Sequence, residues 1–211
     1  DKNKLTDLFR GVDIVIHSAA LKHVIMCEES PGDAVQTNIM GVQNIIEAAS
    51  RNEVQRVLFT SSDKAVNPTN VMGTTKILEI AREKKIKKFI YIASSSCYGI
   101  PKKYPTKENS EIKCEYPYAL SKNLGEQVVM HWKKIYKMNC NSIRLFNVYG
   151  PRSRTSGAYG AVFGVFLAQI LKNFPLTVVG DGKQSRDFTY VTDVVEGMYK
   201  VFLKGKSGEI F

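Results

Sequence analysis

Apolar residues along this chain follow two alternating patterns. Short apolar runs rich in β-branched residues, at positions 12–17, 55–60 and 88–93, are typical of strands buried on both faces of a sheet. Longer segments, at positions 34–51 and from 118 onward, carry apolar side chains at helical spacing. The alternation of strand and helix predicts a doubly wound α/β fold with a mostly parallel sheet.

One helix-strand unit occurs twice in this pattern. The segment 38–49 recurs 32 residues later as segment 70–81, and the strand at 56–62 is followed by a similar strand at 88–94. We therefore predict a duplicated unit, comprising residues 38–62 and 70–94. Two equivalent strands cannot occupy one place in a sheet, so either the second strand is inserted as an extra member or one copy is displaced.

Composition and charge narrow the function classes. The longest apolar segment, 161–171, is interrupted by Gly164 and Gln169, so no membrane-spanning segment is predicted. The net charge is +10, partly from the lysine-rich run at 84–88, which we interpret as a solvated turn rather than a nucleic-acid site. A basic surface would also suit a substrate that carries a pyrophosphate.

The cysteines and histidines give no sign of a metal site or a disulfide framework. The four cysteines and three histidines show no paired metal-ligand spacing, so we predict no metal. Few, scattered cysteines are typical of a reducing compartment, which favours a cytoplasmic location.

Three residues form a candidate catalytic set. Ser94 follows a predicted buried strand, and Tyr118 and Lys122 lie one turn apart on the same face of a predicted helix. An ammonium close to a phenol favours the phenolate, so the tyrosine could take or give a proton near neutral pH. The serine at the strand end could hold the oxygen whose proton moves.

These motifs resemble the extended branch of the short-chain dehydrogenase/reductase superfamily, whose members act on nucleotide sugars. The resemblance depends on Ser94, the YALSK segment at 118–122 and the RLFNVYGP segment at 144–151. It implies a Rossmann-like fold, bound NAD and oxidation of a sugar at C4. It also implies that Tyr118 is the base, that Lys122 lowers the pKa of Tyr118 and holds the nicotinamide ribose, and that Ser94 binds the substrate oxygen.

The resemblance also implies binding residues. Ala19, Ala20 and Lys22 match positions that line the dinucleotide, with Asn38 nearby. Two further residues match positions that reach the diphosphate and uridine of a UDP-sugar substrate, namely Asn147 and Arg186. Family analogy predicts a homodimer.

The two parts of the chain resemble different relatives within this family. Residues 13–76 resemble UDP-N-acetylglucosamine 4,6-dehydratases, in which Asp63 and Lys64 would be the acid and base, with Met72 at the usual tyrosine position. From residue 70 onward the chain resembles UDP-sugar 4-epimerases, with Ser95 and Ser96 where a dehydratase needs an acid and base.

The complete catalytic set favours a UDP-sugar 4-epimerase of surface polysaccharide biosynthesis. Two alternatives stay open: a 4,6-dehydratase of UDP-N-acetylglucosamine, or an inactive, truncated or chimeric nucleotide-sugar-binding module joined near residues 70–74. Because the family's glycine-rich dinucleotide turn precedes the first matched residue, we expect an N-terminally truncated dinucleotide-binding domain at 1–150. Residues 151–211 are expected to form part of a small substrate lobe.

Overall fold

The computed structural model describes residues 1–17, 30, 32–33, 36–54, 56–59, 69–151, 162–178 and 180–211. Contacts divide these residues into two compact units. The first comprises Asp1–Arg144 with Val201–Phe211, and the second comprises Leu145–Lys200. Parallel strands alternate with helices in the first unit, as the hydrophobic pattern predicts.

The first unit contains the following elements. Its helices are α1 (Lys2–Leu8), a π-helical turn (Gln36–Met40) that continues into α2 (Gly41–Arg51), α3 (Thr69–Glu83) and α4 (Pro117–Tyr136). Its strands are β1 (Ile14–His17), β2 (Arg56–Phe59), β3 (Phe89–Ser94) and β4 (Cys140–Leu145), the last residue of which begins the second unit.

The strand order shows where the strands of the duplicated unit lie in the fold. Strand β1 pairs in parallel with β2, with Ile14 opposite Arg56 and His17 opposite Phe59. Strand β2 lies beside β3, and β3 pairs with β4. The strand of the second copy, β3, thus pairs with β4 and contacts β2, while the recorded pairings form two separate two-stranded sheets, β1–β2 and β3–β4.

The main core of this unit lies between the helices and the strands. Side chains from α2 and α3 pack on alternate residues of β3 and on α4 and β4; the buried members are Val42, Ile46, Ile77, Leu78, Ala81, Phe89, Tyr91, Ala93, Val129 and Cys140. Because both copies of the duplicated helix contribute to one core, the extra strand is integrated into the fold rather than displaced.

Both copies of the unit end their helix in the same way. After α2, Glu53 has φ +54° and the Val54 N–H donates to the Ala49 carbonyl at 2.9 Å. After α3, Lys85 has φ +51° and the N–H of Ile86 makes the equivalent bond to Ala81, also at 2.9 Å. Both are Schellman-type ends with a non-glycine residue in the left-handed region. The sequence duplication is thus a structural duplication.

One expectation about the lysine-rich run is wrong for its last member. Lys84, Lys85 and Lys87 are exposed, but Lys88 is buried and its ammonium donates to the carbonyls of Val201 at 2.7 Å and Gly205 at 2.8 Å. These carbonyls lie near the C-terminal end of the last helix, where a cation is favoured by the orphan carbonyls and the helix dipole. Lys88 is therefore a structural cation.

The second unit is a small α/β element. Strand β5 (Asn147–Tyr149) pairs in parallel with β6 (Phe188–Tyr190), between which helix α5 (Val162–Leu171) occurs in the chain. Helix α6 (Val191–Lys204) follows β6, and its last four residues belong to the first unit. An aromatic cluster joins α5 to the strands; its members are Tyr149, Phe163, Phe188 and Tyr190.

Candidate functional site

Ser94 ends strand β3 and caps the short 3-10 turn Ser95–Tyr98. Its Oγ accepts a hydrogen bond from the Ser96 N–H at 3.2 Å and lies 2.6 Å from the Ser96 Oγ. Parallel strands in α/β sheets end where ligands bind, so a hydroxyl at this edge is placed to meet a substrate. The contact with Ser96 orients the Ser94 side chain, a role for this second serine that the sequence motifs did not indicate.

Lys122 is buried against the same end of β3. Its side chain is in the first unit's interior, with only 2% of the residue exposed, and its Nζ donates to the Ile92 carbonyl at 3.0 Å. The Tyr91 hydroxyl in turn donates to the Lys122 carbonyl at 3.4 Å. Since Ile92 is two residues before Ser94 on the strand, the ammonium is held close to the strand end that carries the serine.

Tyr118 lies in the first turn of α4, one turn before Lys122, as predicted. The helix begins at Pro117, a favoured first residue because proline has no N–H to leave unpaired. Tyr118 is half-buried, and α4 packs on both β3 and the 3-10 turn after it. The structure thus brings the helix that carries Tyr118 and Lys122 against the strand end that carries Ser94.

Tyr91 of β3 is a second tyrosine next to Lys122, and its phenol is neutral. Burial is the main cause that raises the pKa of the Tyr91 phenol, and the nearby Tyr118 and Glu126 raise it further. Tyr91 therefore stays protonated across the physiological range. Tyr118, in the first turn of α4, is less buried than Tyr91.

A buried ion pair joins α4 to β4 one turn beyond Lys122. The Arg144 Nε donates to both carboxylate oxygens of Glu126, at 3.0 and 3.2 Å, and the Ser142 hydroxyl donates to the same carboxylate at 2.7 Å. A second Arg144 nitrogen donates to the Tyr98 hydroxyl at 2.8 Å and to the Glu108 carbonyl at 2.9 Å. The pair therefore fixes α4, β4, the turn after Ser94 and the following loop together.

Sequence reasoning missed this network, although a signal for it existed. Glu126 falls four residues after Lys122 on the buried face of α4, and Arg144 falls inside an apolar strand. Charged residues at buried positions are almost always paired. Burial alone would lower the pKa of Arg144, but its hydrogen bonds to Glu126 and Tyr98 raise it overall, so the guanidinium stays charged.

The two predicted substrate residues lie in the second unit. Asn147 begins β5, and its Nδ2 donates to the Asp187 carbonyl at 2.9 Å. Arg186 is exposed and donates to the carbonyl of its neighbour Ser185 at 2.7 Å. Because Asp187 follows Arg186 directly, the structure brings these two predicted residues near each other within this unit.

Several predicted residues lie outside what the structure describes. They are Ala19, Ala20, Lys22, Asp63 and Lys64, together with the side chain of Asn38, whose backbone is part of the π-helical turn. Met72, at the usual tyrosine position of the first copy, is on α3 with 58% of its surface exposed.

Among the described residues, no three His, Cys, Asp or Glu side chains cluster as metal ligands. No helix in the described ranges is long and apolar enough to cross a membrane.

Comparison with known families divides the chain where its motifs do. The NAD dependent epimerase/dehydratase family matches residues 63–211, and a family described as polysaccharide biosynthesis protein matches residues 1–96. The predicted difference in relationship between the N-terminal third and the remainder is confirmed by these two matches. Their overlap, residues 63–96, contains the whole second copy of the duplicated helix and strand.

Individual relatives agree with these matches. The UDP-glucose 4-epimerase of Mycolicibacterium smegmatis is 34% identical over 94% of this chain and 53% of its own length. An uncharacterised membrane protein of Methanocaldococcus jannaschii is 54% identical over 32% of this chain and 20% of its own length. The crystal structure of UDP-glucose 4-epimerase with UDP-glucose from Thermotoga maritima matches with a TM-score of 0.66 at 25% identity, over 100% of this chain and 59% of that one.

The chain spans about half the length of the curated relatives it matches. Over that span its parallel strands, interleaved helices and structural neighbours confirm the predicted Rossmann-like α/β fold. The family match alone covers more than half of the chain, including Ser94, Tyr118 and Lys122. The chain belongs to the NAD-dependent epimerase/dehydratase family.

Proposed function

We propose that this chain carries the catalytic region of a UDP-sugar 4-epimerase that uses bound NAD in surface polysaccharide biosynthesis. The observation that carries the proposal is the burial of Lys122 at the end of β3, where its ammonium meets the Ile92 carbonyl near Ser94. Relatives named UDP-glucose 4-epimerase and the match to a polysaccharide biosynthesis family support it.

In this mechanism the protein residues move one proton and hold one oxygen. Ser94 donates a hydrogen bond to the O4 atom of the sugar, and Tyr118 takes the O4 proton as the C4–H bond breaks. The Lys122 ammonium, one turn away on α4, favours the Tyr118 phenolate. NAD, when bound, supplies the acceptor and later the donor of the hydride.

Epimerisation then needs the same residues in reverse. Once the sugar is a 4-keto compound, its other face is presented for reduction at C4, and Tyr118 returns the proton to O4. Ser95 and Ser96, which follow Ser94, are poor acids and bases at pH 7, so they do not favour removal of water from C5 and C6. The residue set therefore supports epimerisation over dehydration.

The residues present fit a nicotinamide cofactor by their chemistry. Lys122 has three N–H donors, and Tyr118 lies one turn before it on the same helix face. These two residues would hold the ribose, together with Ala19, Ala20, Lys22 and Asn38 by family position. Asn147 and Arg186 would bind the nucleotide diphosphate of the substrate. We further propose a cytoplasmic homodimer.

The inserted strand favours a second candidate, an inactive module that binds nucleotide sugar without turnover. Strand β2 pairs with β1 and contacts β3, so β2 stands between the strand of His17 and the strand of Ser94, and each strand spacing is about 4.8 Å. The cofactor residues predicted after His17 and the catalytic residues after β3 would be one spacing closer without the extra strand. Catalysis tolerates much less misplacement than one strand spacing.

Turnover of the purified chain with NAD and UDP-N-acetylglucosamine or UDP-glucose separates these candidates. The test variant is Tyr118→Phe, and the matched control is Tyr116→Phe, an exposed tyrosine at the start of the same helix. Interconversion of C4 epimers that is lost in Tyr118→Phe and kept in Tyr116→Phe supports the epimerase. A 4-keto-6-deoxy product would select the dehydratase. Calorimetric binding of the UDP-sugar without product, unchanged by Tyr118→Phe, would select the inactive module.

A further inference from the structure

Two cysteines lie at the two ends of the loop that joins β3 to α4. Cys97 is in the 3-10 turn after Ser94, and Cys114 precedes Pro117, the first residue of α4. The loop returns on itself, because the Lys113 N–H donates to the Cys97 carbonyl at 2.7 Å. The Cys114 Sγ lies 3.8 Å from that same carbonyl oxygen.

The two thiols face the same buried charges. Burial raises the pKa of both thiols, to about 11 for Cys97, while Arg144 lowers and Glu126 raises each of them. Cys114 also acts electrostatically on Cys97. The Cys114 sulfur thus lies against the main chain of Cys97, and the same ion pair acts on both thiols, although 16 residues separate the two cysteines in the sequence.

We propose that Cys97 and Cys114 form an oxidative modification site, at which an intramolecular disulfide is made by exchange with a small-molecule disulfide. Both thiols are free in the reduced structure. The site is independent of the proposed epimerase function, because neither sulfur takes part in the reaction at C4.

The exchange balances in two steps. The Cys114 thiol, which is partly accessible, loses its proton and attacks one sulfur of the small-molecule disulfide, releasing one small thiol and leaving a mixed disulfide on Cys114. The Cys97 thiol then loses its proton and attacks the Cys114 sulfur, releasing the second small thiol. The two protein thiols are oxidised, and the small-molecule disulfide is reduced to two thiols.

The cross-link would hold together the parts that frame the candidate catalytic region. The closed loop begins directly after the Ser94–Ser96 contact and ends shortly before Tyr118. It includes Glu108, whose carbonyl accepts a hydrogen bond from Arg144. A disulfide here would restrict the unfolded chain while leaving contacts of the folded loop in place, so it would raise the melting temperature.

Reaction of the reduced chain with glutathione disulfide at pH 8.5 tests the proposal. We expect a mass loss of two hydrogens without a retained glutathione, a peptide in which Cys97 is linked to Cys114, and a rise in Tm of roughly 5 °C that dithiothreitol reverses. The rate should rise about tenfold per pH unit below the thiol pKa values, because the thiolate is the nucleophile.

Two variants and one internal control make the outcome decisive. Cys114→Ser should remove the linked peptide, and Cys97→Ala should leave a stable glutathione adduct on Cys114. Cys140, fully buried with a pKa raised to about 12 by burial, should stay a free thiol. Linked peptides that join Cys27 or Cys140 instead, or glutathione retained on Cys114 of the unaltered chain, would overturn the proposal. Peptide mapping of the unaltered chain decides the matter even if a variant fails to fold.

Discussion

Gly125 of α4 lies directly against Tyr91 of β3. A Cβ atom at Gly125 would stand 2.3 Å from the Tyr91 hydroxyl oxygen and 2.8 Å from the ring carbon that carries it. Both contacts are far shorter than van der Waals distance, and Tyr91 is fixed in the core. The absence of a side chain at Gly125 is therefore what lets the helix with Tyr118 and Lys122 approach β3.

We expect Gly125→Ala to lower the free energy of unfolding by about 1–3 kcal/mol, because an overpacked core must move the helix or the ring. Urea denaturation of the variant measures this change. Combining it with Tyr91→Phe should recover part of the loss, since the closest atom is the hydroxyl oxygen. Gly197→Ala is the control, because nothing lies within 4 Å of its Cβ and alanine is the better helix former. Equal losses at both glycines would contradict the packing explanation.

The buried pair of Glu126 and Arg144 gives a second prediction. Arg144→Met leaves the Glu126 carboxylate buried without its cation, and we expect a loss of about 3–5 kcal/mol in unfolding free energy. The double variant Glu126→Leu with Arg144→Met should be more stable than Arg144→Met alone, because no uncompensated charge remains. Thermal and urea unfolding measure both.

The matched control for this pair is Glu196→Gln, which breaks an exposed ion pair with Lys200 on α6. We expect no measurable change there, since solvent screens such pairs. If Arg144→Met were as mild as this control, the network could not be what joins α4 to β4.

Lys88 gives a third prediction, since its ammonium is shared by two main-chain carbonyls. Lys88→Met keeps the apolar stem but leaves the carbonyls of Val201 and Gly205 without this donor, so we expect a loss of about 1–3 kcal/mol. Hydrogen exchange should show faster opening at the C-terminal end of α6. Lys87→Met, at an exposed neighbouring position, should change neither quantity. Similar effects from both lysines would point to net charge rather than to the buried contacts.

His17 makes the stability of the first unit depend on pH. It lines an apolar space with residues of α2 and α3, and burial lowers its pKa from the model-compound value of 6.5. The unfolded chain therefore binds a proton more readily than the folded chain. The stabilising contribution of neutral His17 is complete above pH 6.5 and is lost as the pH falls through 6.5 toward the folded pKa.

We expect urea midpoints to fall between pH 7 and pH 5, and to fall less in His17→Gln, which has no titrating group at this position. The comparison is made between the two proteins at each pH, because carboxylates titrate in both. Parallel pH profiles of the two proteins would show that His17 does not contribute.

Local patterns predicted what depends on local spacing. The duplicated unit was visible because matched residues recur in register, and Tyr118 and Lys122 share a helix face because four residues make one turn. The approach of Ser94 to that helix followed from the order of strand and helix in the chain. Their roles in catalysis stay predictions.

Long-range contacts could not be predicted in the same way. Glu126 and Arg144 meet only because α4 packs beside β4, and Lys88 is buried only because the end of α6 returns to the start of β3. Cys97 and Cys114 meet through the path of an irregular loop, which has no periodicity to read. In each case the tertiary fold determines which side chains meet, and the sequence around each residue does not identify its partner.

Because α2 and α3 end in the same Schellman-type turn, the C-terminal ends of the two copies are structurally equivalent. A chain lacking residues 42–73 would join the start of one helix to the end of the other in the same helical phase, and it would still enter β3 through the Lys85 turn. Strand β3 would then succeed β1 directly. We therefore expect that a chain without residues 42–73 could place the strand of Ser94 next in order after the strand of His17.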